Sequence, residues 1–187
     1  MIDRMPPMHD TKMNDAQKKA AAALIAGPRK GVVGPFIPLL RSPELLDRLQ
    51  RVGEYLRFEN SIAQRLTELA ILLTSRHVAN QFEWVIHHPL ALKAGIARAT
   101  LDAIEVGERP ASMAADEAVV HDFVMELLRK SAVSDATYAR AAQKFGEQGV
   151  VDLTATVGYF LTVCLVMNVA GTPAPASELK PLHIIAP

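Results

Sequence analysis

Glu83 and His87 stand four residues apart in a stretch that reads as helix, so both side chains project from one face. A carboxylate and an imidazole held at one point form a proton-transfer pair. The imidazole ordinarily titrates at about pH 6.5, and a neighbouring acid can orient it or exchange a proton with it. Glu68 adds a second carboxylate on the preceding predicted helix, which a short connection folds back alongside. The same spacing also suits an ion pair on a helix surface, which would contribute little. A metal centre built from Glu68, Glu83, His87 and His88 is a further reading. Bundle centres of that kind use Glu-x2-His in two copies, whereas this chain carries Glu-x3-His once. Neither a metal nor a cofactor is expected.

The elements that must position these groups are all helical. Asn14 caps a first helix that stops at Gly27-Pro28, and 31–38 reads as a loop. Ser42-Pro43-Glu44 starts a helix running to about Phe58, and Asn60 or Ser61 opens the next, to about Ala79. On that helix Leu72, Ser75 and Ala79 share the stripe of Glu68, and His77 faces the other way. The following helix, 81–94, has Pro89 inside it, which predicts a kink or a 3₁₀ turn near His87. Shorter segments follow at 99–105, 114–130 and 134–145, and an apolar helix spans 149–170. No run alternates as a strand does. The expected architecture is all-α, with an N-terminal helix and loop extension at 1–40, a helical domain at 41–172 and an extended tail at 173–187.

Composition narrows the functions. The chain has 187 residues, half of them apolar, with twenty acidic and twenty basic side chains. That length suits one domain, and a formal charge near zero provides no field to gather nucleic acid or an anionic membrane. The 153–170 stretch is almost long enough to span a bilayer, yet reads better as a buried core or interface helix. Met1 to Pro7 carries no signal-peptide core, so a cytoplasmic location is expected. Cys164, the sole cysteine, sits among Leu, Val and Thr and reads as a small core hydrophobe.

Glu68, Asn80, Glu83 and His87, with Thr67-Glu68-Leu69-Ala70-Ile71-Leu72, Phe82 to His87 and Ala91-Leu92-Lys93-Ala94-Gly95, resemble the active-site frame of the carboxymuconolactone decarboxylase and alkylhydroperoxidase D-like superfamily. Val133 to Thr137, Val157-Gly158-Tyr159-Phe160 and Asn168 extend the likeness over about residues 35–175. In the peroxidase branch the frame reads Glu…Cys-x2-Cys-x3-His, and here Asn80 and Glu83 occupy the cysteine positions. The resemblance implies an oligomeric bundle of antiparallel helices, a trimer, hexamer or dimer. It further implies decarboxylation of a small carboxylated lactone of the γ-carboxymuconolactone type, as in aromatic catabolism. His87 would carry the proton, Glu83 would polarise it or act as the acid, and Glu68 would complete the relay. Arg57 or Arg76 would hold the substrate carboxylate, with Asn80 and Tyr55 also bordering the substrate. Thiol peroxidase activity, which needs a thiol pair, is not expected. An isomerase, a lactone hydrolase or a non-catalytic oligomeric protein would fit the same residues.

Overall fold

The computed structural model describes residues 2–184, and the last three residues of the expected tail lie outside that span. Among the described residues there are eight α-helices and no strand: α1 (Asp15–Ala26), α2 (Phe36–Leu39), α3 (Pro43–Phe58), α4 (Gln64–His77), α5 (Gln81–Lys93), α6 (Arg98–Glu105), α7 (Ala115–Lys130) and α8 (Asp135–Ala170). A short 3₁₀ turn, Asp10–Lys12, precedes them.

The hub is α4. Every residue from Leu66 to Arg76 is buried, because α5, α7 and α8 pack round it and α3 and α6 touch it. Leu66, Leu69, Ala70, Leu72 and Leu73 share one apolar cluster with Trp84 and Ala91 of α5, Val120, Phe123 and Val124 of α7, and Leu153 and Val157 of α8. Trp84 is fully buried. Arg65 ties the start of α4 to α7 through Asp116, at 2.7 Å, and Glu117.

The stretch expected to be a loop contains α2, a single turn with Pro38 inside it. Phe36, Leu39 and Leu40 pack with Leu24 of α1 and Leu46 of α3, so the N-terminal residues share a core with α3. Pro89 does not break α5, which continues as α-helix to Lys93. The tail after α8 lacks regular structure but is tied down: Leu182 N–H donates to Gln81 Oε1 at 2.7 Å, and Gln81 Nε2 donates to Lys180 O at 3.2 Å.

Two segments expected separately, 134–145 and 149–170, form α8 with a break at Gly146, where φ is 71° and ψ 174°. The C-terminal part is the apolar helix. Its inner face carries Leu153, Val157, Phe160, Val163, Cys164 and Met167, all buried, which makes it a core helix. Its outer face leaves Val151 64%, Leu165 46% and Val169 63% exposed.

A Cβ at Gly146 would meet nothing within 4 Å, so substitution there perturbs only the backbone. That conformation is essentially confined to glycine. Gly146→Ala is expected to lower stability by about 1–3 kcal/mol in urea unfolding; an unchanged midpoint would show that α8 can straighten at no cost.

Candidate active site

α4 and α5 are joined by a tight connection, Val78–Ala79–Asn80, in which Ala79 takes a positive φ of 48°. Asn80 then caps α5, its Oδ1 accepting from Glu83 N at 2.9 Å. Its Nδ2 donates to Asn168 Oδ1 at 2.8 Å and to Cys164 O at 3.1 Å on α8. Asn168 Nδ2 in turn donates to Val78 O at 2.9 Å. This lattice of amides fixes the first turn of α5 against both α4 and α8, and so sets the rotation of Glu83 and His87.

The three predicted proton-transfer groups meet. His87 Nδ1 lies 2.6 Å from Glu68 Oε2, and His87 Nε2 lies 3.1 Å from Glu83 Oε2. Glu68, Glu83 and His87 are 1%, 4% and 2% exposed, which removes the surface ion-pair reading. Gln64 Nε2 donates to the other oxygen of Glu68 at 2.8 Å. The row therefore runs Gln64, Glu68, His87, Glu83, with the imidazole between two carboxylates. Because the carboxylates grip opposite ring nitrogens, they do not converge on one point as metal ligands must. His88 is buried on another side, its ring 5.7 Å from that of Trp84.

Burial opposes a charge on His87, yet the hydrogen bonds and charges of Glu68 and Glu83 outweigh it, and the imidazole titrates above its ordinary range. A neutral ring would set one bare nitrogen against a carboxylate oxygen unless that carboxyl held the proton. Two protons are thus shared along the row, and one can pass between His87 and either acid without leaving it.

One end of the row opens into a cavity of about 430 Å³. Glu83 lines it, whereas His87 and Glu68 do not. His87 sits behind Phe160, whose ring meets the imidazole edge-on with centroids 5.4 Å apart. The remaining wall is largely apolar: Phe36 and Ile37 of α2, Phe82 and Ile86 of α5, and Val163 of α8. Arg57, Arg29 and Tyr159 supply its polar groups. A larger groove of about 860 Å³ lies between α1 and α3, but it is lined by surface charges such as the exposed pairs Arg48–Glu44 and Arg51–Asp47.

The other expected substrate contacts are committed elsewhere. Arg76 does not reach the cavity: its Nε donates to Glu105 O at 2.6 Å and its Nη1 to His183 O at 2.8 Å, pinning α6 and the tail. Tyr55 donates to Asp152 at 3.1 Å, joining α3 to α8, and is absent from the cavity wall. Asn80 spends its amide on the cap and on α8. Arg29 and Tyr159 were missed as polar wall groups. Tyr159 stood within the quoted motif, but nothing local to Gly27-Pro28-Arg29 indicated that Arg29 faces a site.

No protein-family model matches this chain, and no curated protein sequence matches it significantly. Its fold is that of the alkylhydroperoxidase AhpD core. A crystal structure of an uncharacterized peroxidase-related protein from Ralstonia eutropha JMP134, described as an alkylhydroperoxidase AhpD core, superposes with a TM-score of 0.76. The alignment covers 94% of this chain and 93% of that one, at 16% sequence identity. At that identity the likeness defines the architecture and leaves the chemistry to the residues present.

A raised folded-state pKa means that the charged imidazole stabilises the fold fully below the unfolded value of about 6.5, and that this is lost as pH rises through the folded pKa. The stability gap between wild type and His87→Gln should therefore shrink as pH is raised from about 6 to 9 in urea unfolding. A gap that is constant or widens over that range would contradict a charged His87.

Proposed function

We propose that the chain is a cofactor-free acid–base enzyme acting on a small, largely apolar, carboxylated substrate, and that its reaction is decarboxylation of a lactone of the γ-carboxymuconolactone type. The observation that carries this reading is the position of Glu83, which borders the cavity on one side and bonds the His87 imidazole on the other. This shifts the terminal role from His87, the expected proton carrier, to Glu83.

In the proposed step the C–CO2 bond breaks and its electron pair enters the unsaturated lactone as a dienolate. Glu83, holding a proton received from His87 Nε2, gives that proton to carbon. His87 is left neutral with its Nδ1–H directed at Glu68, and solvent restores the second proton. The apolar walls favour such a step, because charges in a dry site interact more strongly than in water. Isomerisation of an unsaturated acid would use Glu83 first as base and then as acid.

Dithiol peroxide reduction is a poor reading of these residues. It needs two thiols, and the chain has one cysteine. Cys164 is completely buried, and burial pushes its thiol far above the ordinary range.

Decarboxylation of freshly prepared γ-carboxymuconolactone, followed by ultraviolet absorbance, tests the reading. Glu83→Gln should lower kcat by about 10²–10⁴-fold with KM little changed, and His87→Gln should fall comparably. Turnover untouched by Glu83→Gln would remove Glu83 from the reaction, and an inactive wild type would remove this substrate.

The exposed apolar face of α8 also supports self-association into a homo-oligomer. Light scattering after size exclusion should give a multiple of 20.3 kDa for the wild type and a lower mass for Leu165→Arg. A monomeric wild type would dismiss the assembly.

A further inference from the structure

Arg29 enters the cavity wall from the segment between α1 and α2, a place with no obvious structural need for a guanidinium. Its Nε and Nη2 are buried and have no hydrogen-bond partner. These two N–H groups form one edge of the guanidinium, the edge that grips a carboxylate with two parallel bonds. Among the described residues Arg29 makes no ion pair, although Glu54 and Glu83 lie near enough for their charges to act on it. Its Cζ lies over the Phe36 ring, 4.4 Å from the ring centre, a cation–π contact. Arg57, also on the wall, has a buried Nε without a partner.

Gly53 makes the arrangement possible. It lies one turn before Arg57 on α3, and a Cβ there would fall 2.2 Å from the Tyr159 hydroxyl and 2.7 Å from Arg29 Nη2. The phenol and the guanidinium therefore converge on the one position in α3 that carries no side chain. An unpaired buried donor is costly, and a side chain at residue 53 would abolish the convergence. The simplest reason to hold three buried nitrogens without a hydrogen-bond partner, beside a phenol and on residues that line an apolar cavity, is an anionic group that arrives with the ligand.

We propose that Arg29 and Arg57, with the Tyr159 hydroxyl above Gly53, form a carboxylate-binding subsite that takes the anionic end of an otherwise apolar organic acid and directs its body toward Glu83. The direction toward Glu83 rests on the acid–base reading above; the binding of the carboxylate does not. The apolar walls of Phe36, Ile37, Phe82 and Ile86 set the class of ligand: an unsaturated or alicyclic carboxylate, not a sugar acid or a phosphate ester.

The test is isothermal titration calorimetry with trans-cinnamate and with cinnamamide, its neutral isostere. Wild type should bind cinnamate about tenfold or more tightly than cinnamamide. Arg29→Gln should erase that preference while leaving the amide unaffected, and Arg57→Gln should reduce it. Arg29→Lys, which keeps the charge but lacks the fork, should recover only part. Gly53→Ala should weaken cinnamate binding with the charges unchanged. Glu83→Gln should keep the cinnamate preference, so loss of turnover with intact binding separates the two proposals. Equal affinity for the two ligands, no cinnamate binding by wild type at about 10 mM, or an Arg29→Gln preference equal to wild type would each overturn the subsite.

Discussion

The structure depends on one imidazole held between two carboxylates, all three almost wholly buried. Taking Glu68, Glu83 and His87 out of water is expensive, and only their mutual hydrogen bonds make it tolerable. The Glu68–His87 bond crosses from α4 to α5, so it demands one axial register and one rotation of the two helices. The Asn80 cap and the Asn80–Asn168 amide pair hold the first turn of α5 in that register from outside the row. A buried ionic row is weak evidence for added stability, since apolar residues would pack there at less cost. Under the proposed function, proton transfer is the reason for such a row at the centre of an otherwise apolar hub.

Around the row, the fold divides labour between a rigid hub and a cavity wall assembled from distant parts of the chain. α4 brings Glu68 and no cavity surface; α5 brings Glu83 and two apolar walls; α8 brings Phe160, which screens His87 from the cavity. The N-terminal residues add Arg29, Phe36 and Ile37. They share a core with α3 and shape the pocket, and so act as part of the site rather than as an appendage. The position that carries the first thiol in the peroxidase pattern is used here for helix capping, and the second for the acid at the cavity. Under the proposed function, the same backbone frame would serve proton chemistry in place of redox chemistry.

The helices were legible in the sequence wherever caps and periodicity agreed: Asn14, Ser42-Pro43 and Ser134 mark helix starts that the structure contains within a residue. Asn60-Ser61 misled, because Asn60 turns back on Leu56 O and Ile62 N, and α4 begins only at Gln64. Spacing alone brought Glu83 and His87 onto one face, and the short connection between the two predicted helices brought Glu68 alongside them. Which member faces the cavity was not legible, since that depends on Phe160, more than seventy residues away, covering His87. Arg57 and Arg76 look equivalent in sequence; α6 and the tail use the donors of Arg76, whereas Arg57 keeps one unspent. Tyr55 was lost to Asp152 for the same reason, a partner about a hundred residues distant. Long-range pairing is what decides whether a polar side chain is structural or available, and no local pattern encodes it.

The central claim is that His87 is an imidazolium bonded through both nitrogens at a pH where an ordinary histidine is half charged. Nitrogen-15 NMR of the histidine rings at about pH 6.5, with His87 assigned through His87→Gln, measures this directly. Protons are expected on both Nδ1 and Nε2 of His87, with the Nδ1 proton far downfield because of the short bond to Glu68. A ring with one bare nitrogen at that pH would contradict it.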